Sequence, residues 1–139
     1  TLDGPSAGIL ADMAAWMAIN GEAIFATRPW VVYGEGPTAV KEEYSEKIKE
    51  AFTPADFRFT TKGLTLYAIG LAWPKDGTTV VVKSLGSSGP AGRITDVSLL
   101  GAAGKISWTQ TADGLTVRLP DRKPCDFAFV LKIKTTEKR

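Results

Sequence analysis

The chain of 139 residues carries 17 basic and 15 acidic side chains, one cysteine and no histidine, with 44% hydrophobic and 23% charged residues. That balance fits one soluble globular domain with a real core and argues against both disorder and a membrane protein, since no apolar run approaches the ~20 residues of a spanning helix. A net charge of +2, with lysines scattered along the chain, draws no basic stripe for phosphates and argues against a nucleic-acid partner.

Ile9, Leu10, Met13, Trp16 and Met17 recur at three- and four-residue steps, which predicts a helix over Pro5–Asn20, and alanines 11, 14, 15 and 18 add propensity. Pro5 suits the first turn, where its missing N–H has no intrahelical partner, and Gly21 is expected to close the helix in a left-handed conformation. The apolar stripe needs a covering surface, which is the strand-rich part of this chain, a second copy, or a segment upstream. The sequence opens Thr1-Leu2-Asp3-Gly4, with neither an initiator methionine nor a signal sequence, and ends in a polar Thr135–Arg139 tail. It is expected to be a piece of a longer protein.

Tyr33–Thr38 (Y-G-E-G-P-T) reads as a loop, and Lys41–Ala51 as either a short surface helix or a linker. From Phe57 the period changes to two. Leu64–Trp73 places Tyr67, Ile69, Leu71 and Trp73 on one face and Leu66, Ala68, Gly70 and Ala72 on the other, as in a strand covered on both sides. Thr78–Leu85 follows the turn signal Lys75-Asp76-Gly77 and is expected to pair with it as a hairpin. Arg93–Leu100, Lys105–Gln110, Leu115–Leu119 and Asp126–Lys134 complete the strands, with Phe127, Phe129, Leu131 and Ile133 as one buried row. Six or seven short strands without crossover helices predict an antiparallel β-sandwich preceded by one N-terminal α-helix. The expected division is 1–33 helix and crossing, 34–56 linker, and 57–139 sandwich.

Without histidine there is no Ser-His or Cys-His nucleophile system and no His-containing zinc site, which leaves carboxylates for acid–base work. Glu22, Glu35, Asp56, Asp96 and Asp113 are the isolated ones, and no two form an evident glycosidase pair. Asp76 and Asp113 lie in turns, and the glycines fit no phosphate-loop pattern. Cys125 alone can make neither an internal disulfide nor a multi-cysteine metal site, and reads as a small side chain at the start of the last strand. Trp16, Trp73 and Trp108 sit in apolar patterns and are expected in the core. Trp30 is left as a candidate sugar contact. No catalytic residue, metal site or cofactor is expected in this chain.

Three consecutive blocks, N-G-E-A-I-F-A-T-R-P-W (Asn20–Trp30), Y-G-E-G-P-T (Tyr33–Thr38) and F-R-F-T-T-K-G-L-T-L-Y-A-I (Phe57–Ile69), are followed by S-L-L-G (Ser98–Gly101) and G-L-T-V-R-L-P (Gly114–Pro120). Together they resemble the C-terminal region of the α-L-fucosidases of glycoside hydrolase family 29, over nearly the whole chain. The resemblance implies a catalytic (β/α)8-like barrel followed by a β-sandwich, with Pro5–Asn20 as the last barrel helix and Gly21–Trp30 as the crossing. It implies a parent enzyme that releases terminal α-L-fucosides from glycans with retention, through an Asp nucleophile and a Glu acid/base and without a metal. None of those residues maps onto this chain. The family's pattern usually has Tyr and Gly where this sequence has Phe25 and Ala26. The implied partners are the missing barrel, a glycan substrate through the parent, and a homo-oligomer if the stripe pairs with itself. A secreted, periplasmic or lysosomal parent is implied too. The alternative reading is a non-catalytic carbohydrate-binding or adhesion-type β-sandwich module.

Overall fold

A computed structural model describes residues 4–37, 52–74, 79–125 and 127–136, without the side chains of 4–7 and 9. The expected helix or linker at Lys41–Ala51, the turn at Lys75-Asp76-Gly77 and the side chain of Ile9 lie outside the described residues. Helix α1 spans Gly4–Asn20 and runs into a 3-10 turn, Gly21–Ala23. Strands β1 (Arg28–Glu35), β2 (Phe57–Lys62), β3 (Thr65–Gly70), β4 (Thr79–Val82), β5 (Ile94–Leu99), β6 (Ser107–Thr111), β7 (Gly114–Arg118) and β8 (Phe129–Thr135) follow. They form a five-stranded sheet in the order β1-β2-β3-β8-β5 and a three-stranded sheet in the order β4-β7-β6, with every described pairing antiparallel.

The two sheets face each other. Phe57, Phe59, Leu66, Ala68, Val97, Leu99, Phe129, Leu131 and Ile133 of the larger sheet share one buried cluster with Val80, Val82, Leu115 and Val117 of the smaller. Side chains of this size contribute about 1.5–3 kcal/mol each when fully buried, so this row is the main source of stability. Strands β3 and β8 bury consecutive residues, Leu66-Tyr67-Ala68 and Phe129-Val130-Leu131, because the larger sheet is covered on its outer face as well. Tyr67 and Val130 pack there with Ala23, Trp16, Ile69 and Leu100.

Several expectations change. The proposed hairpin between Leu64–Trp73 and Thr78–Leu85 does not form: β3 lies between β2 and β8, while β4 pairs with β7 in the other sheet. Tyr33–Thr38 is not all loop, for strand β1 runs through Glu35 and adds an edge upstream of the sandwich start expected at Phe57. Its register shifts between Pro29 and Gly34, and such an irregular edge is where a strand tolerates proline. The predicted row on the last strand loses its first member. Phe127 is 63% exposed with φ at +65°, and the strand begins only at Phe129. Trp73 leaves the parity of Tyr67 because β3 ends at Gly70, and its ring turns inward onto Phe129 at 5.3 Å. Gly21 is not the left-handed residue at the end of the helix, since the positive φ belongs to Ala26, at +58°.

Candidate functional site

Three of the five isolated carboxylates, Glu22, Glu35 and Asp56, are held by structural partners. Glu35 at the end of β1 accepts the backbone N–H groups of Lys83 and Ser84, both at 2.7 Å, and so ties the edge of one sheet to the 3-10 turn Lys83–Leu85 that ends the smaller sheet's β4. Asp56 is buried and accepts from the N–H and hydroxyl of Thr53 at 2.6 and 2.9 Å. Gly36 sits beside it with φ at +122°, where an added Cβ would collide with the Asp56 carboxylate. The Y-G-E-G block is therefore a structural motif of the sheet edge. Asp96 and Asp113 are exposed. Among the described residues no group of three or more His, Cys, Asp or Glu side chains could hold a metal ion.

Trp30, the candidate sugar contact, lies in the core. It is 4% exposed and its ring meets Phe59 edge-on at 5.1 Å, which leaves no face on which a sugar ring could stack. The parity of β1 explains this, since Trp30 and Val32 point toward the opposite sheet while Val31 and Tyr33 point away. Trp16, Trp73 and Trp108 are half-buried against the hydrophobic clusters, in keeping with their apolar patterns.

The polar chemistry of the chain concentrates where α1 and its turn meet the outer face of the larger sheet. Glu22 receives Lys132 Nζ from β8 and the Tyr67 hydroxyl from β3, each at 2.8 Å. Thr60 on β2 donates to the carbonyl of Ala23 at 2.7 Å, and Trp16 Nε1 donates to the carbonyl of Ala128 at 2.8 Å. Cys125 donates to that same carbonyl at 3.2 Å, and Asn20 Nδ2 donates to its sulfur at 3.5 Å. At the end of β5 the S-L-L-G block completes the seat: Leu99 faces the core, Leu100 joins the outer cluster, and Gly101 approaches Ile19 so closely that a Cβ would collide with it.

The electrostatics follow from this geometry. The Lys132 ammonium and then the Tyr67 hydroxyl hold the Glu22 carboxyl below its ordinary value of 4.5. Burial, reinforced by the hydrogen bond to Glu22, pushes the Tyr67 hydroxyl up to about 12. Glu22 therefore stays charged and Tyr67 stays a donor across the neutral range, so this pair anchors the seam without exchanging protons near neutrality.

Beside this seam lies an apolar cleft of about 610 Å³, lined by Asp12, Met13, Trp16 and Met17 of α1 and by Ile24, Phe127 and Ala128. Sequence reasoning identified the helix side of this cleft and missed the rest. Ile24 and Phe127 reach it only through turn geometry, and the Glu22–Tyr67–Lys132 cluster joins residues 45 or more positions apart. One signal was present in the sequence: Tyr67 falls on the opposite parity from Leu66 and Ala68, so its hydroxyl had to find a partner outside the sandwich core.

The fold and this seam define an antiparallel β-sandwich domain built to seat a helix on its larger sheet. The model of the family described as "Alpha-L-fucosidase C-terminal domain" matches residues 49–134. The chain belongs to that family. The mouse tissue alpha-L-fucosidase is 36% identical over 123 residues, which cover 85% of this chain and 23% of that protein. The human tissue alpha-L-fucosidase is 31% identical over 123 residues, covering 85% of this chain and 22% of that protein. Among solved structures, α-L-fucosidase isoenzyme 1 from Paenibacillus thiaminolyticus shares the fold with a TM-score of 0.66 at 22% identity, over 97% of this chain and 28% of that one. The α-fucosidase of Thermotoga maritima, in complex with a mechanism-based inhibitor, gives a TM-score of 0.62 at 21% identity over 88% of this chain and 24% of that one. The chain thus spans less than a quarter of the length of these curated relatives.

Proposed function

We propose that this chain is the non-catalytic sandwich region of a larger retaining α-L-fucosidase, in which it supports a catalytic barrel that releases terminal α-L-fucosides from glycans. The observation that carries the reading is the family match over residues 49–134, together with relatives named α-L-fucosidases of which the chain spans 22–23%. The chemistry within the chain agrees with a supporting role. Glu22, Glu35 and Asp56 are held by structural partners, and a glycosidase needs two carboxyl groups facing each other across a sugar. On this reading the seam around Glu22 is the joint that holds the sandwich to the last helix of the barrel. The test is an aryl α-L-fucoside assay on this chain and on the longer polypeptide of the same gene. Turnover is expected only from the longer one. Turnover by this chain above a no-protein control, or none from the longer polypeptide, would overturn the reading.

A further inference from the structure

Trp30 carries one polar group into an apolar setting. Its ring is buried edge-on against Phe59, and among the described residues its indole Nε1–H has no hydrogen-bond partner. An unmatched buried donor is rare in folded proteins, because burial strips its hydration without restoring the bond. Phenylalanine, which supplies the other large rings of this core at positions 57, 59 and 129, would present no such group.

The indole borders a small cavity at one end of the sandwich. The turn Gly63-Leu64 between β2 and β3, Ala91 and the end of β8 at Thr135 close it. It measures about 10 Å³, which is room for the centre of about one water-sized sphere. It falls where the β1–β2 ladder loses its register, between Pro29 and Gly34. Among the described residues that line it none is charged, and two carry hydroxyls already engaged as donors. Thr61 Oγ1 donates to the carbonyl of Thr65 at 3.2 Å, and Thr135 Oγ1 to that of Leu64 at 3.1 Å. A hydroxyl whose proton is committed meets a further partner as an acceptor.

We infer that this cavity is a binding site for one water molecule, which accepts the Trp30 indole proton and donates to Thr61 Oγ1. Size and lining decide the occupant. An ion would sit there without a counter-charge, and an apolar group would leave the indole proton unmatched. A water supplies the acceptor that the indole needs and returns two protons to the oxygens around it. The inference is independent of the proposed function. It gives Trp30 a role that sugar stacking cannot, for the tryptophan closes the end of the sandwich around a bound water.

Nuclear magnetic resonance on the isotope-labelled chain tests the contact. In a rotating-frame spectrum a water held beside the indole gives the Trp30 Nε1 proton a dipolar cross-peak at the water frequency, opposite in sign to a peak from proton exchange. That dipolar peak is expected. The Trp30 signal is the one of the four indole resonances that Trp30→Phe removes, and through-bond spectra of the parent chain assign it if that variant does not fold. A folded chain whose Trp30 indole shows only exchange with water, or no water peak, would overturn the inference. Thr61→Val keeps the shape of the wall and removes the acceptor, so it should abolish the dipolar peak and speed hydrogen exchange of the indole by at least about tenfold. An unchanged peak and rate would overturn the assigned geometry. A crystal structure of the longer polypeptide reads the same site in its native setting. Density within about 3.2 Å of both Trp30 Nε1 and Thr61 Oγ1 is expected there, and a cavity without density, or one filled by a protein side chain, would overturn the inference.

Discussion

Replacing Ala26 by glycine should stabilise the chain. Ala26 holds φ at +58° in the turn after the helix, and its methyl group is exposed, so it gains little from packing. An L-residue in that region is disfavoured by about 1–2 kcal/mol, because its Cβ crowds the neighbouring carbonyl. Glycine relieves the crowding and loses about 0.5–1 kcal/mol through the greater freedom of its unfolded chain. The balance favours Ala26→Gly by about 0.5–1 kcal/mol, or about 2–4 °C in Tm for a domain of this size. Calorimetric melts of Ala26→Gly beside Ala26→Val measure it, since a β-branched side chain at positive φ should lower the Tm by more than glycine raises it. A glycine variant that melts below the parent, or a valine variant that melts with it, would refute the left-handed turn.

Glu22→Gln keeps the shape of the latch and removes its charge; with the pair 32% and 44% exposed it should cost about 0.5–1 kcal/mol at pH 7. Because the folded carboxyl titrates below 4.5, that contribution is complete above about pH 5 and is lost as pH falls through the folded value. Urea melts of the two proteins should therefore differ at neutral pH and converge in acid; a gap that persists in acid would remove the carboxylate from the explanation. Gly101→Ala should cost about 2–4 kcal/mol, as strain at φ +86° adds to the collision with Ile19, whereas Gly63→Ala at φ +61° in open space should cost about 1 kcal/mol. Equal losses would show that Ile19 is not seated on Gly101. Trp30→Ala should destabilise by about 3–5 kcal/mol and Trp30→Phe by much less. Unchanged stability combined with lost binding to a fucosylated glycan would return Trp30 to the surface.

The elements were legible in the sequence because their signals are local. The spacing of Leu10, Met13, Trp16 and Met17 marked a helix whatever it packs against, and the alternation of Phe129, Leu131 and Ile133 marked a strand with one buried face. Tyr67 and Ile69 opposite Leu66 and Ala68 showed that β3 is covered on both sides. Alternation records which face is buried, and it does not record which strand lies alongside. The β3–β4 hairpin was drawn from proximity in sequence, whereas β3 pairs with β8 through residues such as Ala68 and Leu131, more than sixty positions apart. Non-local backbone pairing decided that, and no local signal carries it. The run Trp30-Val31-Val32-Tyr33 is apolar throughout, so the sequence shows no alternation there, although the strand buries Trp30 and leaves Val31 and Tyr33 exposed.

The same division holds at the seam. The sequence by itself determined that α1 needs a covering surface, since a helix with one charged residue cannot be at rest in water. Only the tertiary structure decided how much of that surface the sandwich supplies. It brings Tyr67 and Lys132 from separate strands onto Glu22 and Gly101 onto Ile19, and leaves Met13 and Leu10 facing outward. The physical reason is that burial is a demand of one segment, whereas its satisfaction depends on the distances between several.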